Sequence, residues 1–99
     1  MDSVLNEKWF ELSLVQQMVN IGNEVKRALR YSSDSDKMNL FLDRAIKYTQ
    51  FAIEDPKNVN VITELLISKE VLEDYRGEHY LACTGEQIYR YYQAYQYLL

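Results

Sequence analysis

Three glycines and one proline are all that punctuate this chain of 99 residues, and that scarcity limits what it can fold into. Tight turns lean on these two residue types, glycine for a positive φ and proline for a preset one. A sandwich or barrel of short strands needs a turn roughly every 8–12 residues. A few long elements are what so little punctuation allows. Helices fit, and the spacing of the apolar residues agrees.

Ser13-Leu14-Val15-Gln16 has the form of a capping box, a serine followed three residues later by a glutamine. Behind it Leu14, Met18, Ile21, Val25, Ala28 and Leu29 recur at intervals of three and four, the apolar face of a helix over residues 14–31. Gly22 lies inside that face. A mid-helix glycine costs about 1 kcal/mol against alanine, so a close helix–helix approach is its best justification. The polar run Tyr31-Ser32-Ser33-Asp34-Ser35 ends the helix and offers caps for a second, over 36–54, with Met38, Phe41, Leu42, Ala45, Tyr48 and Ala52 on its inner face. Asp55-Pro56 stops it, because the residue before proline is pushed from helical geometry. A third helix is expected over 58–76, buried through Ile62, Leu65, Leu66, the stem of Lys69, Leu72 and Tyr75, with Gly77 taking a left-handed conformation at its end. Thr84-Gly85-Glu86-Gln87 is a second capping box and opens a helix over 85–98 with Ile88, Tyr91, Tyr92, Tyr95 and Leu99 on one face. Glu7 to Leu12 reads as a helical turn or an ordered lead-in. Four amphipathic helices on short loops predict a single all-α domain over residues 1–99, an antiparallel up-down-up-down four-helix bundle.

An apolar content of 47% is too high for a disordered chain. The net charge of −4 disfavours broad binding to nucleic acid, which depends on neutralising phosphates. One cysteine, Cys83, forms no internal disulfide and gives no sign of an oxidising compartment. The stretch from Met1 to Phe10 is too charged for a signal peptide, and no apolar run approaches the roughly 18 residues of a membrane span. A cytoplasmic location and no membrane partner are the expectation.

Most catalytic chemistries lack their parts. One histidine and one cysteine make no zinc site without carboxylates to complete it, and the Glu-x-x-His pairs of a di-iron bundle are missing because Arg76 stands three residues before His79. His79 reads as a solvated loop histidine and Cys83 as a small apolar thiol, since nothing orients the pair as nucleophile and base. No glycine-rich phosphate loop occurs. Helical-bundle ribonucleases pair arginine and histidine across four to six residues, whereas only Gly77 and Glu78 separate Arg76 from His79. No cofactor, metal or catalytic residue is assigned, and the balance is against an enzyme.

Two surfaces stand out. Asn20, Glu24, Arg27 and Tyr31 form a polar stripe beside the apolar face of helix one. It reads either as an ordinary solvated face with a Glu24–Arg27 pair, or as a polar cleft completed by Asp43 and Arg44 of helix two. The second is compositional. Nine residues are tyrosine, five of them between Tyr89 and Tyr97, and Tyr89 and Tyr97 point away from the Tyr91, Tyr92 and Tyr95 stripe. Tyrosine combines a large ring with a polar tip, a combination favoured at interfaces. Stacking on single-stranded bases needs more positive charge than Arg90 supplies.

Trp9-Phe10, Asn20-Ile21-Gly22-Asn23-Glu24-Val25 with Arg27-Ala28, Asp43-Arg44-Ala45, Glu54-Asp55-Pro56, Glu70-Val71-Leu72 with Asp74-Tyr75, and the closing aromatic helix together resemble a family of small uncharacterised bacterial all-helical proteins. The resemblance spans nearly the whole chain, although this chain finishes on Leu98-Leu99 where that family tends to finish on a basic residue. It implies a bacterial or phage setting and no reaction, and draws attention to Asn20, Gly22, Glu24 and Arg27.

The sequence therefore favours a non-enzymatic protein-interaction module, of inhibitor, immunity or antitoxin kind, binding another protein or itself through Trp9, Phe10, Tyr89, Tyr92 and Tyr97. The rival is a small-ligand or nucleotide-binding or -processing domain with a cleft at Asn20, Glu24, Arg27, Asp43 and Arg44, where Arg27 meets an anionic group and Glu24 serves as base or orienting acceptor.

Overall fold

A computed structural model describes residues 7–99, and no strand occurs among them. Met1 to Asn6, part of the stretch weighed against a signal peptide, lie outside the described residues. The chain is all-helical. Residues 7–10 form one helical turn. Then come α1 (Leu14–Arg30), α2 (Ser35–Glu54), a 3-10 segment (Pro56–Val61), α3 (Ile62–Arg76), α4 (Gly85–Gln93) and a closing 3-10 segment (Ala94–Leu98).

Both capping boxes form. Ser13 Oγ accepts from the Gln16 amide at 3.1 Å while the Gln16 side chain accepts from the Ser13 amide at 2.9 Å. Thr84 and Gln87 repeat the exchange at the start of α4. Each box satisfies two amides that a helix start leaves without partners. Asp34 caps α2 through the Lys37 amide.

The third helix starts later than its periodicity predicts. Pro56 to Val61 winds as a 3-10 segment because Asp55 ties down the Lys57 amide and Asn58 turns inward to the Ala52 carbonyl. The β-branched run Val59, Val61, Ile62, Thr63 also resists entry into an α-helix. The last helix tightens to 3-10 geometry after Gln93, as terminal turns without further acceptor partners do. Gly77 does not turn left-handed, having φ −117°, and its amide reaches the Glu73 and Asp74 carbonyls. The positive-φ residues of that loop are His79 and Ala82, at 59° and 56°. Asp74 holds the loop by accepting from the Tyr80 and Leu81 amides at 2.7 and 3.0 Å.

Helix α1 packs on both α2 and α4, and α2 packs on α3, whereas α3 and α4 barely meet. The core joins Met18, Ile21 and Val25 of α1 to Ala45, Phe51 and Ala52 of α2, Leu65 and Leu72 of α3, and Ile88 and Tyr92 of α4. Two residues expected inside are out. Leu66 is half exposed, and Leu99, past the end of the closing 3-10 segment, lies open to solvent.

Candidate functional site

Part of the polar stripe of α1 enters a cavity of about 370 Å³ formed with α2 and the N-terminal lead-in. Asn20, Asn23, Glu24 and Arg27 line it from α1, Tyr48 and Phe51 from α2, and Lys8, Trp9 and Leu12 from the lead-in. Glu24 is 6% exposed, unusual for a carboxylate. Arg27 donates to its Oε1, with the arginine side chain half in solvent. Glu24 Oε2 is buried and finds no hydrogen-bond partner among the described residues, and the same holds for the indole Nε1 of Trp9. The Trp9 ring stacks on Tyr48 at 4.9 Å between centroids and meets Phe51 edge-on at 6.4 Å.

A buried polar network fixes that lead-in. The Gln17 amide nitrogen donates to the Trp9 and Leu12 carbonyls and, at 2.8 Å, to Asp55 Oδ2. Asn58 donates to Gln17 Oε1 at 2.8 Å, and Lys57 reaches the Phe10 carbonyl at 2.7 Å while pairing with Asp55. Burial pushes the Asp55 carboxyl up, but hydrogen bonds from Lys57 and Gln17, with the lysine charge, outweigh it and hold the pKa below its ordinary value. None of these four polar residues was singled out as a site from sequence. Asp55-Pro56 read as a helix stop and as part of the resemblance, with no role in a site.

Asp43 and Arg44 do not join the cavity. Asp43 accepts from Arg76 Nε of α3 at 2.8 Å, and the Arg44 guanidinium lies 5.3 Å from the Phe41 ring centre. Of the expected cleft, Asn20, Glu24 and Arg27 line the cavity together.

The predicted aromatic face also divides. Trp9 and Tyr92 go into the core, 8% and 1% exposed, because each ring fills a gap between helices. Phe10 and Tyr89 are partly buried against the same core, and Tyr97 alone of the five is open to solvent, at 84%. What the thin contact between α3 and α4 leaves instead is a groove of about 550 Å³, walled by Val61, Ile67, Val71, Ile88 and Tyr91 and reaching Cys83 and Ser68. Glu64 Oε1 accepts from the Tyr91 hydroxyl at 2.7 Å and from that of Tyr95 at 3.4 Å. Burial, then the bond to Glu64, raises the Tyr91 pKa, and burial raises that of Tyr95. Burial pushes Tyr92 up to about 12 against the opposing pull of Ser68 and Thr49. Ile67, at 57% exposed, lies off the predicted stripe of its helix, which is the signal that could have found this groove.

His79 is exposed, its ring edge-on to Tyr75 at 5.2 Å. Among the described residues no three His, Cys, Asp or Glu side chains gather as a metal site requires, and no helix is long and apolar enough to cross a membrane. No protein-family model matches the chain, and neither curated proteins nor solved structures give a match.

Proposed function

We propose that the protein is a non-enzymatic interaction module, of inhibitor, immunity or antitoxin kind, which receives an amphipathic helix of a partner protein between α3 and α4. In this reading the four α-helices are an up-down-up-down bundle left open along one side, and the partner completes it. The observation that carries the reading is the apolar groove of about 550 Å³ with Ile67 exposed at its edge. Contiguous apolar surface of that kind is what a helix-in-groove partner covers. Glu64 within the groove and the exposed Glu70 and Glu73 on the same helix favour a partner with basic residues beside its apolar stripe. The interface thereby moves from the Tyr89 and Tyr97 side to Ile67 and Tyr91.

A photo-crosslinking side chain at Ile67, with Leu40 on α2 as the control position, tests this in the host cell. One adduct from position 67 that is missing from position 40 is expected. Equal labelling from both positions counts against the groove. Light scattering across a hundredfold dilution identifies the partner as a second copy if a dimer persists and Ile67→Asp dissolves it.

A second reading, a small-ligand domain, is favoured by one observation of its own. Glu24 lines the same cavity as Asn20 and Arg27, and its buried Oε2 has no partner among the described residues.

A further inference from the structure

We propose that the Glu24 cavity binds a metabolite-sized anion that also carries an N–H donor. An α-amino acid and a nucleoside monophosphate are the two sources of that shared chemistry. The proposal rests on the small-ligand reading above and is independent of the groove between α3 and α4.

Glu24 is the starting point. A carboxylate taken out of water needs its oxygens paired, and Arg27 satisfies only Oε1. Oε2 calls for a donor, and an ammonium or a base N–H supplies one. Trp9 lines the same cavity, and its Nε1 is a buried donor with no acceptor among the described residues. A ligand that presents both kinds of group within a short span satisfies both.

Charge at the mouth sets the rest. Glu24 and Arg27 offset one another, and exposed Lys8 adds a positive charge, so the cavity lining carries a net excess of one cation. The Arg27 side chain is half in solvent, and one of its five N–H groups is committed to Glu24. A carboxylate or phosphate fits there, in the planar fork geometry arginine offers. Tyr48, Phe51 and Leu12 give an apolar wall for the body of the ligand. A volume of about 370 Å³ admits a metabolite and excludes a helix or folded partner.

The full chain is titrated with the standard α-amino acids in one arm and the nucleoside monophosphates in the other, read by thermal shift and by calorimetry. Acetate and inorganic phosphate serve as anion-only controls. A member of one arm should raise the melting temperature and bind where the controls do not. Glu24→Gln and Arg27→Ala should each weaken that binding at least tenfold, with helicity by circular dichroism unchanged. If either variant fails to fold, Lys8→Ala and Asn23→Ala carry the same comparison. A flat response in both arms overturns the proposal, as does binding that Glu24→Gln leaves intact. The ligand-free stability of Glu24→Leu then separates two failures. A rise in melting temperature means the buried carboxylate is kept at the expense of stability, so the small-ligand reading stands with another ligand class. A fall means Glu24 is a structural clamp on Arg27, and that reading fails as well.

Discussion

A β-carbon added to Gly22 on α1 would stand 2.7 Å from the Cβ of Tyr92 on α4, closer than real carbon atoms approach. The obstacle is the root of a fully buried tyrosine rather than a flexible tip, so relief requires the two helices to part. Glycine at this position is therefore a contact requirement, and it accounts for how tightly α4 lies against α1. Gly22→Ala gains about 1 kcal/mol of helix propensity and loses more to overpacking. A net destabilisation of about 1–2 kcal/mol is expected from urea denaturation. A stabilised variant would show that α4 sits farther from α1 than described.

Asp55 gives the protein an acid limit. Its pKa is depressed in the folded state, so its contribution to stability is fully present above the unfolded carboxyl value of about 3.9 and is lost as pH falls through the lower folded value. Denaturation midpoints measured between pH 7 and pH 2 should decline below about pH 4 in the native chain. Asp55→Asn should be less stable at neutrality and flatter across that range. An unchanged acid limb in the variant would place the sensitive group elsewhere.

Gln17 holds three segments of backbone and side chain at once. Its removal takes one hydrogen bond each from Asn58 and Asp55 and leaves the Trp9 and Leu12 carbonyls without their side-chain donor. Each buried polar group left unpaired costs about 1–3 kcal/mol. Gln17→Ala should lower stability by at least about 2 kcal/mol. It should also free Trp9, seen as a red shift in tryptophan emission, readable because the chain has a single tryptophan. Loss of stability without that shift would mean that the lead-in is held by Lys57 alone.

Ala82 occupies the left-handed region at φ 56°, where a β-carbon crowds the following carbonyl at a cost of about 1–2 kcal/mol. Glycine removes that crowding and gives back part of it as unfolded-chain entropy. Ala82→Gly should stabilise by about 0.5–1 kcal/mol in thermal unfolding. A destabilised variant would show that the loop takes another path between Gly77 and Thr84.

Tyr92 contributes to an alkaline limit alongside Tyr91 and Tyr95. Its pKa is raised to about 12 in the folded state, so the stability it confers is present below the ordinary value of about 10 and is lost as pH rises through about 12. Its hydroxyl lies beside those of Ser68 and Thr49, which donate to carbonyls of their own helices, and it closes no hydrogen bond of its own among the described residues. Tyr92→Phe should therefore be neutral or more stable by up to about 1 kcal/mol. It should also remove the tyrosinate absorbance step near pH 12. A marked loss of stability would mean that the hydroxyl is bonded.

Local chemistry lies close to the sequence, and the elements it governs were legible there. Ser13 with Gln16 and Thr84 with Gln87 are contacts between residues three apart, so the two boxes and the helix starts follow from composition at fixed spacing. The apolar stripe of α1 and the reason for Gly22 follow in the same way, since a helix face is a property of periodicity. Of the candidate cleft, Asn20, Glu24 and Arg27 were legible as one stripe, but not whether anything covered them. That depended on Trp9 and Tyr48 reaching the same cavity, with the lead-in held by a network joining Gln17 to Asp55 and Asn58 across about forty positions of chain. Asp43 shares the charge pattern of the stripe, yet Arg76 claims it, and only the packing of α2 on α3 brought that partner near. Arg44 lies over Phe41, one turn away on its own helix. The tyrosine-rich end shows the same division. Sequence determined that Tyr91, Tyr92 and Tyr95 share a helix face, while tertiary structure sent Tyr92 inside and left Tyr91 and Tyr95 on Glu64 at the edge of a groove. The physical reason is that hydrogen bonds within a turn form wherever the helix forms. Burial depends on which second surface arrives, and no residue encodes that alone.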